Sequence, residues 1–146
     1  MTTTESRSVI LRHKAAIRRG ELSLPFKCLL NHQLLVPARS VFDFGCGHGE
    51  DIERLRHLDI TGDGWDPTWR PEGRKEAADV VNLGYVLNVI EDVAERATVL
   101  LEAWGLTQKI LVVAARIVVG GWGKSEVEYG DGILTQIGML PTRSTD

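Results

Sequence analysis

Hydrophobic residues occur along this chain in short blocks, separated by segments that contain glycine and proline. The blocks at residues 40–44, 79–83 and 109–117 are mostly apolar and β-rich, which is typical of strands that are buried on both faces of a sheet. A further strand is predicted just before Asp66, within the glycine-rich residues 61–65. The pattern therefore predicts four strands before residue 118, with turn or helical sequence between them.

Two short helices are predicted before and after the first strand. Ser23 is a candidate N-cap and Pro25 suits a first helical turn, where its missing N–H costs little. The second helix is predicted over residues 50–58, with acidic residues in its first turn, where the helix dipole favours them. Its predicted buried face consists of Ile52, Leu55 and Leu58.

A third helix is predicted between an N-cap at Asp92 and a stop signal at Gly105. Its apolar positions follow the helical repeat, so we expect them to pack against the core, with Trp104 as the largest buried side chain. These positions are Val93, Ala97, Leu100, Leu101 and Trp104.

Alternation of strands and helices predicts a fold class of α/β type, a Rossmann-like, doubly wound and mostly parallel sheet flanked by helices. Beyond residue 118 the chain becomes rich in glycine, and Asp131-Gly132 is typical of a hairpin turn. Residues 133–140 could supply one more strand, and residues 141–146 are predicted to be a loose tail.

Composition supports one folded domain, since the 146 residues are 43% hydrophobic and 25% charged. No apolar run approaches the roughly 20 residues that span a bilayer, and the first residues do not resemble a secretory signal, so the expected location is cytoplasmic. The two cysteines, Cys28 and Cys46, lack the spacing of a zinc site, so neither a disulfide nor a bound metal is expected.

Charge is distributed unevenly along the chain. Residues 1–40 have a net charge of +5 and the remainder has −8. We therefore divide the chain into a basic N-terminal arm and helix, residues 1–39, and a Rossmann-like domain, residues 40–146. A cluster of cations suits contact with DNA phosphates, although a solvated basic helix has the same composition.

The residues at the ends of the predicted strands point to a ligand, because parallel sheets bind ligands at that edge. Asp43 precedes a glycine loop that ends at Gly49. Asp66 lies 23 residues after Asp43, at about the distance where an acid can bind ribose hydroxyls. Glu50 stands where a dinucleotide fingerprint requires glycine, and acids at the helix start would repel a pyrophosphate. A cationic ligand with a ribose and an ammonium group would not be repelled.

The third strand end, Asn82 to Tyr85, supplies an amide and a phenol that could face the ligand or the molecule beyond it. Together, residues 43–49, Asp66, residues 79–81 and residues 86–92 resemble the motifs of class I S-adenosylmethionine-dependent methyltransferases. More narrowly, stretches between residues 16 and 92 resemble the methyltransferases associated with DNA phosphorothioation systems. These stretches are residues 16–19, 41–47, 64–67 and 80–92.

The resemblance implies S-adenosylmethionine as cofactor and methyl transfer linked to DNA modification as function. It implies that Asp43 binds the ammonium group, through water, and Asp66 the ribose, while Trp65 and Pro67 lie beside the adenine. Asn82 would contact the methionine end, and no catalytic residue is assigned beyond the substrate-side candidates Asn82 and Tyr85. The full implied cofactor set is Asp43, Phe44, Gly45, Cys46, Gly47, Gly49, Trp65, Asp66 and Asn82.

The spacing of Asn82 and Tyr85 also resembles the Asn-Pro-Pro-Tyr of DNA amino-methyltransferases, although Leu83 and Gly84 replace both prolines. The chain departs from the class at its end, because 29 residues after residue 117 are too few for the usual helix and closing antiparallel strands. The C-terminal strands are therefore predicted to be reduced or missing, which leaves residues 109–117 at an open sheet edge prone to self-association.

Alternatives remain open for several of these residues. A cofactor-binding regulatory module without turnover, a truncated fragment and a nicotinamide-dependent oxidoreductase are the competing functions. Cys46 is expected to be present because a small residue fits between the two glycines, and not as a reactive thiol. His48 is expected to be a surface residue. Trp69 and Trp122 either face a substrate or cover the sheet edge, and His13, His32 and His57 have no ligand-like spacing.

Overall fold

A parallel sheet of four strands forms the centre of the described part of the chain. The structure is a computed structural model, and it describes residues 12, 16, 18–118, 127–129, 132–134 and 142–143. The strands of this sheet are β1 (Val41–Phe44), β2 (Gly62–Trp65), β3 (Ala78–Gly84) and β4 (Thr107–Ala114). The helices are α1 (Leu24–Asn31), α2 (Glu50–Arg56) and α3 (Val93–Leu106), with a 3-10 helix at Leu87–Val89.

The strand order is β2-β1-β3-β4, and every neighbouring pair is parallel. The chain leaves β1 through α2 to reach β2 on one side, then crosses back past β1 to β3 on the other side. The connections that leave β1 and β3 therefore run in opposite directions, toward β2 and β4, and they diverge between the carboxyl ends of β1 and β3. This position is where doubly wound sheets bind ligands. The predicted Rossmann-like α/β fold is confirmed, with few strands.

Helices cover both faces of this sheet because the buried strands are apolar on both sides. One core cluster joins α1 and α2 to the sheet, and its members include Phe26, Leu29, Val41, Leu55 and Val80. The other cluster lies under α3 and includes Phe42, Phe44, Val81, Leu83 and Ala103. Successive residues of β1 and β3 alternate between the two clusters, as the two-residue period of a strand requires.

Local signals account for most helix boundaries. Pro25 lies in the first turn of α1 as predicted, although the N-cap residue Ser23 makes no side-chain capping bond. Asp92 caps α3, and its Oδ1 accepts a hydrogen bond from the Glu95 backbone N–H at 3.0 Å. Helix α3 ends at Leu106, so Gly105 lies inside the helix rather than after it.

The predicted core face of α3 is wrong. Trp104 is 65% exposed, Leu101 68% and Val93 64%, whereas Ala103 is fully buried. Helix α3 has a second apolar stripe at the same spacing, Val99, Ala103 and Leu106, and this stripe packs on the sheet. The small Ala103 side chain suits close contact with the strands, so packing selects a stripe that hydrophobicity alone cannot distinguish.

The end of α2 also differs from its prediction. The helix ends at Arg56, and Leu58 is 48% exposed, while Ile52 and Leu55 are buried as predicted. Asp59 follows with a φ of 58°, so the chain turns sharply there. Ile60 is buried in the cluster that contains Leu55, and so takes the core position that was predicted for Leu58.

The remaining strands form a second sheet. Its strands are β5 (Ile117–Val118), β6 (Val127–Tyr129), β7 (Gly132–Leu134) and β8 (Thr142–Arg143), in the order β5-β8-β7-β6. β6 and β7 are antiparallel, as the Asp131-Gly132 turn signal predicts. Of the strand predicted over residues 133–140, the structure describes residues 133–134, which lie in β7, and β8 lies within the predicted tail. Among the described residues, β4 is left as an edge strand of the first sheet.

Within the described ranges, no helix is both long and apolar enough to cross a membrane. Trp122 and His13 lie outside the described residues, so the predictions for them have no structural counterpart.

Candidate functional site

A cavity of about 320 Å³ lies at the carboxyl edge of the first sheet. Residues from the ends of β1, β2 and β3 line it, so the structure brings together three segments that are distant in sequence. The substrate-side candidate Tyr85 lines this cavity, and so do most of the predicted cofactor residues. These cofactor residues are Asp43, Phe44, Gly45, Cys46, Gly47, Trp65, Asp66 and Asn82.

Gly49 is the predicted site residue that the structure does not bring to the cavity wall. It is the N-cap of α2, with a φ of 79°, a conformation that favours glycine. Arg70 packs against it, since a Cβ at this position would lie 2.6 Å from Nη1 of Arg70. Gly49 therefore shapes the entry into the helix rather than the surface of the cavity.

The glycine loop is held by backbone hydrogen bonds to the end of β2. The N–H groups of Gly45 and Cys46 both donate to the carbonyl of Trp65, at 2.8 and 3.1 Å. Gly45 has a φ of 81° and packs so closely on Val86 that a side chain would clash there. The loop thus presents backbone to the cavity, as the sequence predicts.

A buried pair of polar side chains forms one wall of the cavity. Asp43 and Asn82 are 4% and 3% exposed, and Nδ2 of Asn82 donates to Oδ1 of Asp43 at 2.9 Å. Oδ1 of Asn82 is buried and accepts no hydrogen bond within the described part of the chain. A buried acceptor without a donor is unfavourable by about 1–3 kcal/mol, so this oxygen marks a place where a ligand N–H or O–H can bind.

The pKa of Asp43 lies well above that of an ordinary aspartate. Burial is the main reason that the pKa of Asp43 is raised to about 7; the hydrogen bond from Asn82 opposes this rise, and the nearby charges of Asp51 and Asp66 add to it. A cation bound beside Asp43 would offset the burial of its negative charge. The wall therefore favours a positively charged ligand group.

Asp66 has a different environment, because its carboxylate accepts three backbone hydrogen bonds. The donors are the N–H groups of Gly47, at 3.0 Å to Oδ2, and of Thr68 and Trp69, each at 2.9 Å to Oδ1. A carboxylate has about four acceptor positions, which leaves one for a ribose hydroxyl. Asp66 therefore fixes the glycine loop and the β2 turn, a structural role that the sequence did not predict.

Cys46 is held as an unreactive thiol. Burial, together with the smaller effect of the Asp43 charge, raises the pKa of Cys46 to about 12. A thiol that stays protonated is a poor nucleophile. This agrees with the expectation that a small residue is needed between the two glycines.

Several aromatic side chains line the cavity. Trp65 packs edge-on against Phe44, with ring centroids 5.4 Å apart, and Nζ of Lys75 lies 3.9 Å from the Trp65 ring centroid. On the other rim, His48 and Trp69 are in ring contact at 4.2 Å, and both line the cavity. Of the two alternatives for Trp69, the structure therefore places its ring at the cavity.

The N-terminal segment is part of the site, which sequence reasoning missed. Ser23 and Arg19 donate backbone hydrogen bonds to Asp51 and Glu50, at 2.9 and 2.8 Å, and Arg54 donates to the Arg19 carbonyl. The bond from Arg19 is the main cause of the lowered pKa of Glu50. The acids at the start of α2 therefore hold Arg19 and Ser23 at the cavity wall, and the sequence position of these acids was the available signal.

Farther along the same segment, Arg12 forms ion pairs with Glu91 and Glu95 at the start of α3, each at 2.8 Å. These bonds lower the pKa of Glu91. Lys27 similarly pairs with Glu21 at 2.8 Å. Several cations of the predicted DNA-contacting arm thus interact with acids of the chain itself, and DNA contact by the arm stays a prediction.

No cluster of metal-binding side chains occurs among the residues that the structure describes. Comparison with protein-family models, curated proteins and solved structures finds no match to this chain. The function is therefore inferred from the geometry of the cavity and from the sequence motifs.

Proposed function

We propose that this chain binds S-adenosylmethionine at the carboxyl edge of its parallel sheet and transfers the methyl group of that cofactor. The observation on which this rests is the buried Asp43–Asn82 pair at the switch point, where the Asn82 amide oxygen has no donor among the described residues. An ammonium group has three N–H donors and a positive charge, so it suits both the Asp43 carboxylate and the Asn82 oxygen.

Other walls of the cavity suit the rest of the cofactor. The backbone of Gly45 and Gly47 allows close approach of a ligand, and Asp66 keeps one acceptor position for a ribose hydroxyl. Trp65 offers an indole ring beside the adenine position. The volume of about 320 Å³ lies within the range of small-molecule sites.

A dinucleotide fits this site poorly. Glu50 and Asp51 occupy the start of α2, where a nicotinamide cofactor places its pyrophosphate. Both carboxylates accept hydrogen bonds from the N-terminal segment, so that segment already occupies the helix start. These contacts favour a cationic, phosphate-free nucleoside over a dinucleotide.

The cofactor, when bound, supplies a sulfonium-activated methyl group. Methyl transfer then needs alignment of the acceptor and exclusion of water more than it needs a general base. Asp43 and Asn82 would orient the amino-acid end, and Arg12, Arg19 and Ser23 also line the cavity and would help to exclude water. The link to DNA modification is proposed from the sequence resemblance, with DNA as the first acceptor to test.

Binding can be tested with Asp43→Asn, which keeps an oxygen to accept the Asn82 hydrogen bond but removes the charge. We expect S-adenosylhomocysteine, at about 100 times its dissociation constant, to stabilise the wild-type chain by about 2.7 kcal/mol in thermal unfolding, and NAD to have no effect. Loss of one charge-assisted bond should weaken binding about tenfold to hundredfold in Asp43→Asn. Asp63→Asn, an exposed position on β2, is the matched control and should bind normally.

Stabilisation by NAD, or equal binding by wild type and Asp43→Asn, would contradict the proposal. Turnover is measured separately, as S-adenosylhomocysteine formed from S-adenosylmethionine with and without DNA. Binding without turnover on any acceptor would favour the regulatory-module alternative.

A further inference from the structure

An arginine at the cavity has no acidic partner among the described residues. Arg12, Arg19 and Arg54 all line the cavity. Arg12 is paired with two glutamates, and Arg54 lies 3.8 Å from Glu50. The Arg19 guanidinium has no ion pair with any residue in the described ranges, and its Cζ lies 5.5 Å from the centroid of the Tyr85 ring.

The backbone of Arg19 is fixed independently of its side chain. Its N–H donates to Glu50 at 2.8 Å, and its carbonyl accepts from Arg54. The neighbouring Arg18 is different, because its side chain is 74% exposed, does not line the cavity and lies 3.4 Å from Glu50. The two adjacent arginines therefore form a natural pair of test and control.

Tyr85 is held in an uncommon conformation beneath Arg19. Its φ is 62°, in the left-handed region that a bulky side chain rarely adopts, and its N–H donates to the Ala114 carbonyl at 2.7 Å. Backbone strain of this kind is concentrated at functional sites, where the surrounding structure maintains it. The strained turn thus places the Tyr85 ring at the cavity wall, within cation–π distance of the guanidinium groups of Arg19 and Arg116.

We propose that Arg19 binds the carboxylate of the amino-acid end of the cofactor, so that Asp43 and Arg19 together recognise a zwitterion. This inference rests on the proposed function and extends it. A free amino acid has one ammonium and one carboxylate, and the cavity has one buried acid and one arginine without an acidic partner among its described residues. A planar guanidinium matches a carboxylate with two parallel hydrogen bonds.

The test compares two ligands that differ at the amino-acid end. S-adenosylhomocysteine has the ammonium and the carboxylate, whereas 5′-methylthioadenosine has neither. In calorimetric titrations, Arg19→Gln should weaken S-adenosylhomocysteine binding about tenfold to hundredfold and leave 5′-methylthioadenosine binding unchanged. Arg18→Gln should change neither, because its side chain lies outside the cavity.

Each other outcome has a definite meaning. Binding of neither ligand by the wild-type chain would overturn the proposed function and this inference with it. Normal wild-type binding, with both ligands weakened equally in Arg19→Gln or with neither weakened, would overturn the role of Arg19 alone. If Arg19→Gln does not fold, the same titrations are made with Arg19→Lys. This variant should show a smaller loss of affinity for S-adenosylhomocysteine and no loss for 5′-methylthioadenosine.

Discussion

The ends of β1 and β2 each present an aspartate to the same cavity, and the two carboxylates have opposite environments. Within the described part of the chain, Asp43, which is 4% exposed, accepts one hydrogen bond, from an Asn82 side chain whose own oxygen lacks a donor there. Asp66 is half-buried and accepts three backbone N–H groups. Among the described residues, Asp43 therefore has fewer hydrogen-bond donors than Asp66.

This difference separates a ligand-facing acid from a structural one. A carboxylate surrounded by backbone donors stabilises the loop that contains them, whether or not a ligand is present. A buried carboxylate with few donors has no such compensation until a cation binds. The proposed cofactor-binding role of Asp43 and the loop-fixing role of Asp66 can therefore be tested by different measurements.

The largest expected effect is a pH dependence of stability that comes from Asp43. An unfolded aspartate titrates near its ordinary value of about 3.9, whereas burial raises the pKa of Asp43 to about 7. Between these values the folded chain binds one more proton than the unfolded chain. The free energy of unfolding should thus fall by about 4 kcal/mol as pH rises from about 4 to about 7, and this contribution should be level above that.

Urea denaturation at a series of pH values measures this slope. Asp43→Asn has no titrating group at the position, so its curve should lose this contribution. If the free energy of unfolding depends on pH in the same way for wild type and Asp43→Asn between pH 5 and 7, then Asp43 is ionised in the folded chain over this range. Burial would then not distinguish Asp43 from Asp66.

The next largest effect is expected for Asp66→Ala. The substitution removes the acceptor of three backbone N–H groups, so it should lower the free energy of unfolding by about 3 kcal/mol at pH 7. Asp63→Ala is the control, since exposed Asp63 accepts only from the adjacent Gly64 N–H at 2.8 Å, and about 0.5 kcal/mol is expected there. Equal losses for the two variants in urea denaturation would remove the structural role assigned to Asp66.

The smallest effect concerns Gly64, the register partner of Asp43 in β2. A Cβ on Gly64 would lie 2.8 Å from Cβ of Cys46 and 3.0 Å from the Asp43 carbonyl oxygen. Gly64→Ala should therefore cost about 2 kcal/mol through overpacking where the two strand ends meet.

Gly62→Ala is the matched control for this substitution, because the nearest atom to its Cβ would be 3.4 Å away, an ordinary contact. Its thermal unfolding midpoint should stay within a degree or two of the wild type, since about 0.5 kcal/mol or less is involved. A tolerated Gly64→Ala would mean that the two strand ends can separate without cost, and that Asp43 and Asp66 are not held in one unit.

Local sequence predicted much of the fold. Blocks of apolar residues predicted three strands of the first sheet, the glycine-rich residues before Asp66 predicted the fourth, and Asp92 predicted the start of α3. Strand burial and N-capping depend on residues close in sequence. The face of α3 could not be predicted in this way. Trp104 and Ala103 lie on two overlapping apolar stripes, and only the space above the sheet decides which stripe is buried.

In the candidate site, too, some features follow from local sequence and others depend on tertiary packing. The glycine loop and the aspartates at the ends of β1 and β2 are visible in the sequence, since parallel strands must end at one edge of a sheet. The roles of Asp43 and Asp66 depend on donors contributed by distant segments, namely Asn82, Gly47 and the β2 turn. The sequence by itself determined the residue types at the edge, and the tertiary structure decided their burial and hydrogen-bond partners, because both depend on contacts between segments far apart in the chain.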